Sequence, residues 1–201
     1  MASKRKFIKV KVPIIGEEVE VLGDNESLKG KTIKLDLTRK LKGKSMEVIF
    51  FIKELNGILY AFPKKISLIK QYAIKFIRKG TSYVEDSFKV KCKDVSCVVK
   101  PLLVTRKKVP RSLKQTLRKK TREFIIEELK NKDYLDFCEE VIHGEFQKKL
   151  YPVLKKIYPL TFCEIRILET KELNNANLKI SEKKLEEQEE PLMNDLIEEE
   201  S

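Results

Sequence analysis

Tryptophan is absent from the 201 residues, and histidine occurs once, at His143. A single imidazole cannot build a histidine-based metal centre. Beside Gly144, at an expected helix end, its simplest use is to meet the helix dipole. Glycine is scarce, at seven residues, and none forms a phosphate-cradling loop or a G-x-S-x-G nucleophile elbow. The adjacent carboxylates Glu17–Glu18 and Glu139–Glu140 diverge on any regular element, so they do not form an acid–base pair. These absences argue against an enzyme: catalytic residues, metal and cofactor are each expected to be none, and no small-molecule substrate is implied. Cysteine is limited to Cys92, Cys97, Cys138 and Cys163, with no C-x-x-C pair. Zinc sites favour closely paired ligands, so the expectation is four free thiols and a reducing, cytoplasmic setting. No apolar run approaches the roughly 18 residues of a membrane helix. The N-terminus Met-Ala-Ser-Lys-Arg-Lys is not followed by the apolar core of a signal peptide, so no membrane partner is expected.

Acidic residues are missing locally as well, and this is the most informative absence. The chain carries 43 Lys+Arg against 31 Asp+Glu, a net +12. Residues 171–201 hold 4 basic and 10 acidic residues, so residues 1–170 carry a net +18. Such an acidic block is expected to be a disordered tail following one folded domain over 1–170. Between Lys100 and Arg122 there are ten basic residues and no acid; Pro63–Gly80 holds six and no acid. A basic body of this kind selects polyanions, nucleic acid first. The candidate phosphate contacts are Arg106, Lys107, Lys108, Arg111, Lys114, Arg118, Lys119, Lys120 and Arg122, then Arg78 and Lys79, then Lys4, Arg5 and Lys6. Lys114, Arg118 and Arg122 recur every four residues and so share a helix face. Cations crowding a helix start oppose its dipole, which a bound phosphate would reverse. Tyr60, Tyr72, Tyr83 and Tyr151 are the aromatics to weigh for base stacking, but their spacings suit a core. Recognition by shape and backbone is therefore expected.

Hydrophobic periodicity outlines an α+β chain. Period-two runs suggest strands before Pro13 and after Gly16, then over Ile33–Leu37, Met46–Ile52, Phe88–Cys92 and Cys97–Val104. Asn56-Gly57 is a hairpin dipeptide, with a return strand stopped by Pro63. Ile66, Ile69, Ala73, Phe76 and Ile77 predict an amphipathic helix over 66–78. Three helices are expected later: one capped by Ser112, one over 133–143 stopped by Gly144, and one from Glu145 towards Ile157, kinked or interrupted by Pro152. Thr161–Leu168 is read as a last strand. The expectation is a small, mostly antiparallel β-barrel or sandwich of about seven strands with packed helices.

Lys155-Lys156-Ile157-Tyr158-Pro159-Leu160 followed by Glu164-Ile165-Arg166 resembles the C-terminal signature of the archaeal and eukaryotic small-subunit ribosomal protein family three-a-e (eukaryotic-type small-subunit protein one). In matching order stand Gly30-Lys31-Thr32 with Leu35-Asp36-Leu37, Tyr72 before Arg78-Lys79-Gly80-Thr81-Ser82, and Lys100-Pro101 with Thr105, Lys108, Ser112 and Leu117-Arg118-Lys119. The resemblance implies a structural ribosomal protein with small-subunit ribosomal RNA and neighbouring ribosomal proteins as partners. It implies a place on the subunit platform near the messenger exit, with messenger RNA and initiation factors as further candidates nearby. It adds Arg166 to the RNA-binding set. A free RNA-binding or ribosome-assembly factor is the alternative.

Overall fold

The computed structural model describes residues 6–41, 43–55 and 57–171. The acidic stretch over 172–201, Lys4 and Arg5 lie outside them. The described residues form an α+β fold built on one nine-stranded sheet. Its strands are β1 (Lys6–Val12), β2 (Glu17–Gly23), β3 (Thr32–Asp36), β4 (Met46–Leu55), β5 (Ile58–Leu68), β6 (Tyr83–Glu85), β7 (Phe88–Lys91), β8 (Ser96–Thr105) and β9 (Leu160–Thr170). Its helices are α1 (Asn25–Leu28), α2 (Lys70–Ile74), α3 (Arg111–Leu129), α4 (Tyr134–His143) and α5 (Glu145–Lys155).

The sheet runs β2-β1-β5-β9-β8-β6, with β4 and then β3 beside β5 and with β7 beside β8. All pairings are antiparallel except β1 with β5, where Lys11 faces Tyr60. This is an open, branched sheet in place of the expected barrel or sandwich of about seven strands. The branching follows from strand length. Eleven-residue β5 meets β1 at Tyr60 and β9 at Lys65–Ser67, with β4 along its other side. Ten-residue β8 carries β9 on one side and shares the other between β7 and β6.

Two sequence expectations fail at the same place. β5 does not stop at Pro63, and the helix expected over 66–78 shrinks to the single turn of α2. Proline lacks the N–H that a ladder needs but is tolerated at a bulge. The register with β4 slips there, from Ile49 facing Lys65 to Phe50 facing Pro63. Beyond it, Ile66 and Leu68 are buried on alternating positions and pair with Val48 and Met46. Pairing on both sides of this strand outweighs the helical spacing. Pro101 repeats the device: β8 shifts register between Lys100 and Pro101, leaving Arg166 as the extra residue of β9.

The three long helices pack against the sheet. α3 buries Leu117, Thr121, Ile125 and Leu129, a stripe with a spacing of four. Its N-cap is Pro110, not the expected Ser112, which is exposed in the first turn. Gly144 ends α4 at φ 80° and begins α5, a left-handed conformation that glycine adopts without a Cβ clash. Pro152 lies inside α5 without ending it. Phe137 and Phe146 meet edge to face at 5.1 Å, and the Tyr134 hydroxyl donates to Pro63 O at 3.1 Å. Burial pushes the Tyr134 phenol well up. All four cysteines are free, as expected, and all four are buried; burial raises the Cys163 thiol to about 12. Among the described residues no helix is long and apolar enough to cross a membrane.

Candidate nucleic-acid interface

Thr105 closes a run of buried residues at the end of β8 and is itself fully buried. Its hydroxyl oxygen accepts from the Ser82 N–H at 3.1 Å. Its single proton is shared between Ser82 O at 2.9 Å and Lys107 O at 2.8 Å. The Thr105 N–H also donates to Ser82 O at 2.9 Å, and the Val109 N–H donates to Ser82 Oγ at 3.3 Å. Ser82 follows a turn in which the Thr81 hydroxyl donates to Arg78 O at 2.7 Å. These bonds fasten the turn bearing Arg78 and Lys79 to the loop bearing Arg106, Lys107 and Lys108. Two acid-free stretches far apart in sequence thus become one surface. Thr105→Val should cost about 1–3 kcal/mol, because it strands the buried Ser82 N–H and a carbonyl. Thermal unfolding measures this as a fall in Tm of roughly 2–4 °C per kcal/mol for a chain of this size.

α3 leaves this surface directly. No side chain caps its first turn, which contains no acid, and Arg111 is exposed at its first position. Uncapped N–H groups at the positive end of a helix dipole are suited to an anion. Arg78, Lys79, Arg106, Lys107, Lys108, Arg111 and Lys119 are all exposed, and among the described residues none forms an ion pair. Several cations elsewhere have acidic partners. Lys9 faces Glu18, Lys34 faces Glu47, and Lys132 bridges Glu128 and Glu140. Burial works against both charges, yet the bonds to Lys132 and Lys149 hold the Glu140 carboxyl low, and those to Glu140 and Glu128 hold Lys132 high.

The row Lys114, Arg118 and Arg122 has a different setting. It flanks the buried stripe and borders β6 and β7. Arg118 Nε donates to Glu85 O at 3.0 Å, and the Arg122 guanidinium lies over the Phe88 ring at 5.2 Å. Lys114 is half-buried, and Lys120 pairs with Glu123 at 3.2 Å. Arg166, displaced by the bulge in β9, binds the Glu85 carboxylate at 2.8 Å. With Lys100, Pro101, Asp86 and Ser87, these two line a groove of about 520 Å³. Lys6, at the start of β1, is exposed. The structure therefore brings Arg78, Lys79, Arg106, Lys107, Lys108 and Arg111 together. It sets Arg118, Arg122 and Arg166 in internal contacts, each using part of a side chain with five donors. Sequence reasoning gave no structural role to Ser82 and Thr105; the one local signal was a hydroxyl closing an apolar strand before a basic loop.

The loop is also tied to the turn before β9. Arg106 N–H donates to Pro159 O at 3.3 Å, and the N–H groups of Ile157 and Tyr158 both donate to Leu154 O. This turn is the Lys155–Leu160 motif. Residues 2–172 match the family model described as the Ribosomal S3Ae family. The chain belongs to the ribosomal S3Ae family. Small ribosomal subunit protein eS1 of Nanoarchaeum equitans is 30% identical over 176 residues, covering 81% of this chain and 87% of its own length. The protein of that name from Pyrobaculum arsenaticum is 30% identical over 139 residues, covering 66% of this chain and 63% of its own. That of Saccharolobus islandicus is 35% identical over 99 residues, covering 49% and 48%. The S3Ae family is one of ribosomal proteins, not enzymes. Within this S3Ae chain, the signature turn holds one of the basic loops in place.

Proposed function

We propose that this chain is a structural constituent of the small ribosomal subunit in the cytoplasm and takes part in translation by holding ribosomal RNA. The observation that carries the reading is the joined surface of Arg78, Lys79, Arg106, Lys107 and Lys108 at the uncapped start of α3, where the cations form no ion pair among the described residues. Phosphate groups would meet both side-chain charge and helix N–H donors, giving affinity and register without reading base edges. The folded body fixes where these charges point. Residues 1–170 act as the RNA-binding domain. A place on the platform near the messenger exit, beside other ribosomal proteins and within reach of messenger RNA or initiation factors, follows from the resemblance.

Sedimentation tests this. The protein should remain at one copy per small subunit after a high-salt wash. Recovery only in the free fraction, or only on immature particles, would identify a ribosome-assembly or free RNA-binding factor instead.

A further inference from the structure

Tyr83 is 56% exposed, whereas Tyr60 and Tyr134 are buried and Tyr72 packs against Phe76 and Phe162. It opens β6, a terminal strand of the sheet that among the described residues pairs only with β8. It also directly follows Ser82, the residue that fastens the two basic loops together. Five exposed cations belong to the segments joined at its neighbour Ser82: Arg78 and Lys79 in the turn before it, and Arg106, Lys107 and Lys108 in the loop after Thr105. Of the two acids that follow, Glu85 is paired with Arg166 at 2.8 Å, and the Asp86 carboxylate beyond the strand accepts from the Ser87 N–H at 2.8 Å.

The exposed Tyr83 ring offers a π-face to a partner. Single-stranded nucleic acid is bound by aromatic platforms set in basic surface, because every base has a π-face and every linkage a negative charge. We infer that Tyr83 is a stacking platform for an unpaired RNA base, with the two basic loops holding the phosphates beside it. This rests on the RNA-binding reading above and adds to it a single-strand contact that phosphate pairing alone does not supply. A protein neighbour would suit the ring equally but not its surroundings. Five exposed cations that form no ion pair among the described residues favour a polyanion.

The absence of tryptophan supplies the probe, because Tyr83→Trp places a unique indole at the site. The full chain is titrated with a twelve-nucleotide oligoadenylate and with a twelve-base-pair RNA duplex. Stacking should quench the indole emission of the Tyr83→Trp variant on addition of oligoadenylate and leave it nearly unchanged with duplex. Tyr83→Ala should weaken oligoadenylate binding about tenfold to a hundredfold, while Tyr83→Phe stays within about twofold. The salt slope should be the same in all three, since a neutral ring releases no counterions. Wild-type affinity for oligoadenylate in Tyr83→Ala overturns the inference and leaves phosphate binding standing. Equal losses on single strand and duplex also overturn it. Unchanged RNA binding with lost subunit incorporation would assign the ring to a protein neighbour. Failure of the unmodified chain to bind either RNA removes both readings.

Discussion

Replacing Glu164 with alanine should lower the stability of this chain by about 3 kcal/mol, a fall in Tm of roughly 6–12 °C. Lys44 and Glu164 form an ion pair at 2.8 Å, with side chains only 13% and 17% exposed. Lys44 Nζ also donates to Val141 O at 3.2 Å, so the cation meets the carbonyl end of α4. Gln147 Nε2 donates to both Glu164 Oε2 at 2.9 Å and Val141 O at 3.0 Å. The carboxylate thus ties the β3–β4 connection to α5 and β9. Its removal leaves an ammonium in low dielectric without its counter-charge, which costs more than the pair itself contributes. A Lys44→Met, Glu164→Leu double replacement should recover much of the loss, because an apolar pair strands no charge. A double-mutant cycle by thermal or urea unfolding checks this. Simple addition of the two single losses would mean the groups are not coupled.

Glu164 also illustrates what a sequence can and cannot tell. Its place in a recognisable motif is visible there, but its partner, 120 residues earlier, is not. Local signals are legible where one residue pattern dominates. Met46–Ile52 alternates through a strand that is buried on one face, and Gly144 stops α4 where a positive φ is needed. They mislead where long-range pairing decides. Ile66 and Ile69 carry helical spacing, yet Ile66 is held in β5 by Val48 and Leu168. Pro63 signals a strand end only if no bulge is available to receive it. Three-residue β6 is too short to register as a period at all. Whether the sheet closes depends on which edges meet, and no window of sequence contains that information.

The candidate interface divides in the same way. The absence of acids over Lys100–Arg122 is plain in the sequence, as is the shared face of Lys114, Arg118 and Arg122. Which direction that face points is not. Arg118 and Arg122 are drawn to Glu85 and Phe88 by partners on β6 and β7, more than thirty residues away. The joining of Arg78–Lys79 to Arg106–Lys108 depends on Ser82 and Thr105, 23 residues apart, each an ordinary hydroxyl residue until the strands pair.

Reversal of the exposed loop, with Arg106→Glu, Lys107→Glu and Lys108→Glu together, should therefore abolish most RNA binding while leaving the fold unchanged. Each phosphate contact contributes about 0.9 of a decade in affinity at roughly 0.1 M salt, so loss of three predicts a decrease of about 500-fold. Repulsion from the new carboxylates adds to it. The slope of log affinity against log salt should become shallower by about 2.7 on duplex RNA. Unfolding should move little, within about 0.5 kcal/mol, because none of the three side chains forms an ion pair among the described residues. The same reversal at Arg118 and Arg122 is a poorer test. It would break the bond to Glu85 O and the contact with Phe88, confounding a loss of binding with a loosened helix. A triple variant that folds normally, binds RNA with unchanged affinity and keeps the original salt slope would remove the loop from the interface. The phosphate contacts would then have to come from Arg78 and Lys79, from the α3 start at Arg111 and from Lys119, which lie outside the loop.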